Sequence, residues 1–234
     1  MGAESRPRAT GATNKTARRE RAIQTREQEQ RQHRRRRLRN AAVLAALLLA
    51  VVAGLYAVFD RSGSGQPSAK DYEVGSPGVG QTAPGFSLAS SDGGNTSLAA
   101  LKGKTVLLYF QEGLTCQPCW DQIRDLEKSA AEVKAAGIDQ IVSVTTDPAD
   151  LVARKVKDEA LKTPVLSDPD LKVSTAYQTN EYGMMGTSRN GHSFVLVGPD
   201  GQIQWRADYG GAPKYTMYVP VDRILTDLNS GRQA

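Results

Sequence analysis

The strongest chemical signal in the sequence is a pair of cysteines three residues apart. Cys116 and Cys119 are the only cysteines of the chain, and they lie between an apolar β-rich run and an amphipathic helical run in FQEGLTCQPCWDQI. Residues one helical turn apart project from the same face, so their sulfur atoms can come close enough to form a disulfide. The spacing predicts thiol chemistry, in which a thiolate attacks a disulfide sulfur and a second thiol releases the product.

The place of each cysteine along the predicted helix indicates its role. Cys116 stands at the helix N-terminus, where unpaired N–H groups and the helix dipole favour a thiolate. Cys116 is therefore the predicted nucleophile, and Cys119, one turn deeper, is the predicted resolving thiol. Pro118 costs little early in a helix, because its missing N–H had no partner there, and with Gln117 it should tune reactivity. Glu112 is close in sequence and is a candidate proton acceptor for Cys119.

Two other interpretations of the pair are a structural disulfide and one half of a zinc site. Zinc requires four ligands, and the whole chain adds only two histidines, one of which lies in the basic N-terminal tail. A structural disulfide across so short a loop would constrain the unfolded chain little. A redox pair that needs neither a metal nor an organic cofactor is therefore favoured.

Hydrophobic patterns predict the strands and helices that position the cysteines. TVLLYF (105–110) and QIVSVTT (140–146) are short β-rich runs, and the helical stretch 120–137 between them ends at Gly137. Pro-Asp-Gly between two β-rich flanks predicts a hairpin in HSFVLVGPDGQIQWRAD. The other predicted elements are a helix in ADLVARKVKDEAL, a short strand and a helix in TPVLSDPDLKVSTAYQ, and a last helix in VPVDRILTDLNSG. This alternation predicts an α/β domain with a central mixed β-sheet flanked by helices.

The chain before this domain divides into three parts by composition. Residues 1–40 carry 13 Lys and Arg against four Glu, a net charge of +9, whereas the rest carries 17 basic against 21 acidic residues, a net charge of −4. Residues 41–59 contain no charge, and at about 1.5 Å each they span a hydrocarbon core of roughly 30 Å, which predicts one transmembrane helix. Residues 60–80, rich in Gly, Ser and Pro, are predicted to be a flexible linker, which leaves 81–234 as the domain.

The charges that flank the apolar run predict the topology of the chain. Five arginines lie between residues 34 and 40, whereas only Asp60 and Arg61 follow the run directly. This asymmetry predicts a single-pass protein of the cell membrane with a cytoplasmic tail and an extracytoplasmic domain. A cleaved signal peptide is the alternative, but the run exceeds the usual length of roughly 7–15 residues. The tail is predicted to be a solvated topogenic segment, with a helix on anionic lipid as the alternative, and its lack of aromatic residues argues against nucleic acid.

Four segments resemble the redoxin branch of the thioredoxin-like superfamily, which includes alkyl hydroperoxide reductase/thiol-specific antioxidant proteins and membrane-tethered thiol-disulfide oxidoreductases. They are APGFSLASSDGGNTSLAALKGKTVLLYFQ, CQPC, TPVLSDPDLKVSTAYQ and FVLVGPDGQIQW, and the match covers roughly residues 81–230. The predicted anchor and basic tail are similar to those of exported redoxins of the actinobacterial type. The resemblance implies a thioredoxin fold, with the active cysteine where the first core strand meets its helix.

The family contains two activities, and the residues before the cysteines favour one of them. Peroxiredoxins place a proline seven residues and a threonine or serine three residues before the peroxidatic cysteine. Here those positions hold Tyr109 and Gly113 before Cys116, and Glu112 and Cys116 before Cys119. The departure favours thiol-disulfide exchange, for which CxxC with a proline before the second cysteine is the thioredoxin-type arrangement. A thiol-dependent peroxidase remains the alternative.

Two further residues are candidates for supporting the cysteines. Thioredoxins have a cis-proline that faces the CxxC just before the strand that opens the hairpin, and counting back from Gly201 places His192 or one of its neighbours at that position. His192 could stabilise a thiolate or relay a proton, or it could simply bond to backbone at a strand entrance. Trp120 follows the motif and is either part of a partner-binding surface or a core anchor.

A copper-binding chaperone with a thioredoxin fold is the alternative from another functional class. Thiolates and an imidazole suit Cu(I), and Cys116, Cys119 and His192 could supply them. The favoured prediction is a membrane-anchored, extracytoplasmic thiol-disulfide oxidoreductase that acts on protein disulfides, with peroxide as the alternative substrate. Its electrons would pass to or from a membrane electron donor or another thiol partner. The direction, reducing or oxidising, stays open.

Overall fold

The computed structural model describes residues 70–233, and one seven-stranded mixed β-sheet forms the centre of this part of the chain. The strands are β1 (Ser87–Ser90), β2 (Asn95–Ser97), β3 (Val106–Phe110), β4 (Gln140–Thr145), β5 (Val165–Ser167), β6 (Ser193–Val197) and β7 (Ile203–Asp208). The helices are α1 (Gln117–Lys128), α2 (Ala130–Ala135), α3 (Ala149–Asp158), α4 (Lys172–Ala176) and α5 (Val221–Gly231). Short 3₁₀ turns lie at Leu98–Leu101, Thr179–Glu181 and Gly186–Ser188.

The order of strands across the sheet is β2-β1-β5-β4-β3-β6-β7. β3, β4 and β5 run parallel to one another, while β1 joins β5, and β6 joins β3 and β7, in the antiparallel direction. β3 is therefore an inner strand, and all five of its residues are buried. The carboxyl ends of β3 and β4 meet at one edge of the sheet, where the loop to the cysteines begins.

Alternate residues of β3 enter two apolar cores on opposite faces of the sheet, as the two-residue period of a strand requires. Leu107 and Tyr109 lie in one core with Trp120 of α1. Leu108 and Phe110 lie in the other core. Both faces are covered, which explains why the strand is apolar throughout rather than alternating.

Most of the predicted elements are confirmed, with two differences. The stretch 120–137 lies in a helical region that begins at Gln117, directly after the predicted N-terminal residue Cys116, but this region is divided at Ser129, whose N–H still bonds to the carbonyl of Asp125. Serine competes for backbone hydrogen bonds and is a weak residue for a helix interior. The hydrophobic patterns also do not predict the β1–β2 hairpin, whose turn places Gly93 and Gly94 at positive φ angles of 99° and 70°.

The linker predicted over residues 60–80 is wrong for its last part, because residues 70–80 belong to the domain. Tyr72 is buried, and its ring lies 6.0 Å from that of Trp205 and 5.3 Å from that of Tyr209. Glu73 forms a backbone bridge with Asp208 on β7. One aromatic side chain and a free strand edge thus attach a segment whose composition alone indicates flexibility.

None of the helices within residues 70–233 is long and apolar enough to cross a membrane. The predicted tail (1–40) and the predicted spanning segment (41–59) lie outside the described residues.

Candidate active site

The two cysteines lie where the chain leaves β3 and enters α1. Cys116 is the N-cap residue of α1, and Cys119 lies in its first turn. Their Cα atoms are 5.3 Å apart, and their sulfur atoms are joined in a disulfide. The exposed fraction is 7% for Cys116 and 0% for Cys119, so of the two only Cys116 contacts solvent. This geometry supports the predicted division between an attacking and a resolving cysteine.

The loop before Cys116 is held against the end of β4 by a buried carboxylate. Asp147 Oδ2 accepts a hydrogen bond of 2.7 Å from the N–H of Leu114. Gly113 has a φ angle of +97°, and a Cβ atom there would lie 1.7 Å from the same oxygen, so only glycine fits. Trp120 fixes the loop from the other side, because its indole N–H donates to the carbonyl of Gly113 at 3.0 Å.

Arg189 joins this loop to the segment that precedes β6. Its Nη1 atom donates to the carbonyl of Glu112 and to Oδ1 of Asp147, both at 2.9 Å. Neither Asp147 nor Arg189 is among the site residues predicted from the sequence. The carboxyl ends of neighbouring parallel strands meet at one edge, and this signal could have identified Asp147. No pattern in the sequence identifies Arg189.

Tyr109 and His192 form a buried hydrogen-bonded pair next to Cys119. The Tyr109 hydroxyl lies 2.9 Å from His192 Nδ1 and 3.4 Å from the carbonyl oxygen of Cys119. Both side chains are fully buried, and the ring of Tyr109 stacks on that of Phe194 with centroids 4.6 Å apart. The pair lies at the predicted place, since His192 immediately precedes β6.

Burial sets the protonation of this pair. It lowers the pKa of His192 to about 3, so the imidazole is neutral at neutral pH. It also raises the pKa of Tyr109 well above its ordinary value, and the nearby charge of Glu112 adds to this effect. His192 Nε2 is buried and has no hydrogen-bond partner within residues 70–233.

Two of the other predicted site residues lie close to the motif in different surroundings. Glu112 is buried, and its Oε1 atom accepts a hydrogen bond of 2.9 Å from the N–H of Met184. This contact joins the cysteine loop to residues 182–191; the predicted role of Glu112 as proton acceptor stays a prediction. Pro118 is exposed beside Cys116, early in α1 as expected.

Trp120 is fully buried, so the interpretation of its ring as a partner-binding surface is wrong and the core-anchor interpretation is confirmed. Lys155 on α3 lies over the ring, 5.6 Å from the centroid. The same ammonium donates to Oε1 of Gln117 at 3.0 Å, while Gln117 Nε2 donates to Glu159 at 3.3 Å. The first residue between the two cysteines is thereby attached to α3.

The copper alternative requires a group of side chains that can hold a metal ion. Within the described range of the chain, no group of three or more His, Cys, Asp or Glu side chains is placed to hold a metal ion. The thioether residue Met217 packs against both cysteines. The imidazole of His192 is directed to Tyr109 through Nδ1. Residues 70–233 therefore contain no group of side chains placed to bind copper.

A mixed sheet with a cysteine pair at the junction of an inner strand and its helix defines a thioredoxin-like protein with a dithiol/disulfide centre. The profile of the AhpC/TSA family matches residues 79–206, and the chain belongs to this family. The predicted resemblance of the domain to this family is confirmed, and the protein is an oxidoreductase of this family.

The relatives include both activities of the family. Peroxiredoxin Bcp of Escherichia coli strain K12 is 31% identical over 129 residues, which cover 54% of this chain and 82% of the relative. Thiol-disulfide oxidoreductase ResA of Halalkalibacterium halodurans is 34% identical over 99 residues, 42% of this chain and 56% of the relative. The crystal structure of Peroxidoxin BcpB from Mycobacterium tuberculosis superposes with a TM-score of 0.55 at 18% identity, covering 66% of this chain and 98% of that one, which shows a shared fold.

Proposed function

We propose that this protein is a membrane-anchored, extracytoplasmic thiol-disulfide oxidoreductase whose active centre is the Cys116–Cys119 pair. The observation that carries the proposal is the arrangement of the two cysteines, with Cys116 at the surface end of α1 and Cys119 one turn deeper and fully buried. A substrate sulfur can approach Cys116, while Cys119 can reach only the sulfur of Cys116.

The exchange reaction has two steps with these residues. In the reduced protein the Cys116 thiolate attacks one sulfur of a protein disulfide, the substrate S–S bond breaks, and the other substrate sulfur leaves as a thiolate. Cys119 then loses its proton and attacks the Cys116 sulfur in the mixed disulfide, which releases the second substrate sulfur. The substrate gains two electrons, and the protein becomes the disulfide form. The reverse sequence of steps oxidises a dithiol.

A peroxidase is the second candidate function, and the similarity to Peroxiredoxin Bcp favours it. The surroundings of the cysteines favour exchange. The residue three positions before Cys116 is Gly113, which has no hydroxyl to hold a peroxide. The residue seven positions before is Tyr109, whose hydroxyl bonds to His192 and lies inside the core.

The membrane placement rests on residues 41–59 and on the arginines before them. An extracytoplasmic domain has no access to cytosolic reductants, so it would exchange electrons with a membrane donor or another thiol protein. A reporter enzyme fused after Ala234 tests this placement. Activity only on the outer side of the membrane is the expected result, and a cytoplasmic reporter would contradict both the topology and the proposed electron partner.

The chemical test compares two oxidants with the reduced full-length protein. We expect the rate constant for a protein disulfide to exceed that for hydrogen peroxide by orders of magnitude. Cys116→Ser should abolish the fast reaction, and Cys119→Ser should accumulate a mixed disulfide with the substrate. Peroxide that reacts far faster than with a free thiol of similar pKa, through Cys116, would instead establish the peroxidase.

A further inference from the structure

The resolving step of the proposed reaction creates a proton-transfer problem inside the domain. Cys119 must lose a proton to attack Cys116, yet Cys119 is fully buried. Water cannot take this proton directly, and a buried thiolate without a compensating group is costly. The inference that follows rests on the proposed function and concerns the group that accepts the proton.

The carboxylates near the cysteines are already engaged in other contacts. Glu112 accepts the N–H of Met184 at 2.9 Å. Asp147 accepts the N–H of Leu114 and is paired with Arg189. A proton placed on either carboxylate would weaken contacts that hold the loop before Cys116.

His192 is in a different situation, because Tyr109 links its ring to the backbone carbonyl of Cys119, and its Nε2 atom has no hydrogen-bond partner within residues 70–233. The Tyr109 hydroxyl lies between His192 Nδ1, at 2.9 Å, and the carbonyl of Cys119, at 3.4 Å. The hydroxyl can donate to only one of them at a time. Stacking on Phe194, the partner of Tyr109 in the β3–β6 register, keeps the ring in place in both arrangements.

We infer that Tyr109 and His192 form a proton relay that serves Cys119 in the resolving step. Tyr109 relays the proton: its hydroxyl proton passes to His192 Nδ1 as the phenol oxygen takes the proton of the Cys119 thiol. The products are the Cys119 thiolate and an imidazolium, so protons and charge balance. The imidazolium proton finally passes to the released substrate thiolate, and the imidazole is neutral again.

The groups around Tyr109 and His192 favour the proton transfer only when Cys119 becomes the attacking group. Two groups face the pair. Glu112 lies near Tyr109. The ring of Tyr209 lies 6.5 Å from that of His192, and the Tyr209 hydroxyl donates a hydrogen bond to Asp227. In the disulfide form burial keeps the imidazole neutral. A thiolate at Cys119 would favour the imidazolium as an opposite charge, so the proton moves when Cys119 becomes the attacking group.

The test separates the two steps in the reduced full-length protein by rapid mixing with a disulfide protein. Tyr109→Phe removes the hydroxyl and keeps the aromatic stack. We expect it to slow release from the mixed disulfide by about 100-fold at pH 7, the scale of general acid–base catalysis, and to make release rise with pH. The initial attack by Cys116 should change less than about twofold. His192→Gln should give the same pattern, since an amide can hydrogen-bond but cannot take the proton.

A matched control is Tyr177→Phe. Tyr177 is a second buried tyrosine, on the opposite face of the sheet, whose hydroxyl donates to the carbonyl of Pro84 at 2.8 Å. Both steps should be unchanged in this variant. Unchanged release in Tyr109→Phe, or equal slowing of both steps without a change in pH profile, would overturn the relay. If Cys116→Ser left exchange intact, the proposed function itself would fail, which is a separate result.

Discussion

Two arginine–carboxylate pairs fix two backbone segments of this domain, and they differ in burial. Arg206 and Asp208 on β7 are both fully buried. Asp147 and Arg189 are 5% and 29% exposed, respectively. In each pair the carboxylate accepts a backbone N–H and the guanidinium donates to a backbone carbonyl. The groups bound are Gly75 N–H and Pro77 C=O by the first pair, and Leu114 N–H and Glu112 C=O by the second.

The difference in burial indicates different tasks. The Arg206–Asp208 pair lies two residues apart on one strand, is fully buried, and binds the backbone of Gly75 and Pro77 from the interior. The Asp147–Arg189 pair joins parts of the chain 42 residues apart and holds the loop that leads to Cys116. A fully desolvated pair is expensive to break, whereas water can replace part of a pair whose arginine is partly exposed. The first pair should therefore determine stability, and the second should determine the geometry of the cysteines.

The largest effect is expected when the buried pair is broken. Arg206→Leu leaves the Asp208 carboxylate buried without its partner, which should lower the free energy of unfolding by about 3–5 kcal/mol. Urea unfolding followed by tryptophan fluorescence measures this loss. The double variant Arg206→Leu/Asp208→Leu should recover part of it, because no charge is left uncompensated. A single variant as stable as the unmodified protein would remove the distinction between the pairs.

Substitution of the two glycines beside the pairs comes next in size. Gly113→Ala adds a Cβ against Asp147 at positive φ and should cost about 2–4 kcal/mol and slow exchange at Cys116 more than tenfold. Gly75→Ala places a Cβ 2.5 Å from Arg206 Nη2, and should lower stability while the cysteines of the folded protein react normally. Gly78→Ala is the control, since its Cβ would meet only the Gly75 carbonyl, at 3.6 Å.

The free energy of unfolding and the rate of exchange at Cys116, measured on all three glycine variants, test which pair determines stability and which determines the geometry of the cysteines. Slow exchange in Gly75→Ala with normal exchange in Gly113→Ala would reverse the assignment of tasks.

These two pairs also mark the limit of what the sequence could predict. Local signals sufficed for the strands β3 and β4, for the start of α1 near the cysteines, and for the position of His192 before β6. The contacts that complete the site join residues distant in sequence. Asp208 binds Gly75 across 133 residues, and Tyr109 meets His192 across 83. A residue such as Arg189 has no local pattern that distinguishes it from an ordinary surface arginine.

Acid should act on the region of the cysteines through His192. Its pKa is about 3 in the folded protein against an ordinary value of 6.5, so between these values the unfolded chain binds more protons. Stability therefore rises with pH in this window and is lost as pH falls below 6.5, by up to about 1.4 kcal/mol per pH unit. Urea unfolding at pH 7, 6 and 5 measures the slope. His192→Gln should flatten it, and an identical slope in that variant would assign the acid sensitivity to other groups.

The smallest effect on stability is expected for the Asp147–Arg189 pair, whose arginine is partly exposed. Arg189→Met removes two charge-assisted hydrogen bonds, but solvent can reach the Glu112 carbonyl and Asp147 once the guanidinium is gone. The free energy of unfolding should therefore fall by only about 1 kcal/mol, the scale of a partly exposed hydrogen bond.

The exchange rate of Arg189→Met should nevertheless fall several-fold, because the loop before Cys116 loses its connection to the segment that carries His192. Arg154→Met is the control, since Arg154 is exposed and pairs with Asp150 at the surface, 3.4 Å away. That variant should match the unmodified protein in both measurements. If Arg189→Met lost stability as Arg206→Leu does, while its exchange rate stayed normal, both pairs would be structural. In that case Gly113 and Trp120, rather than the Asp147–Arg189 ion pair, would determine the conformation of the loop before Cys116.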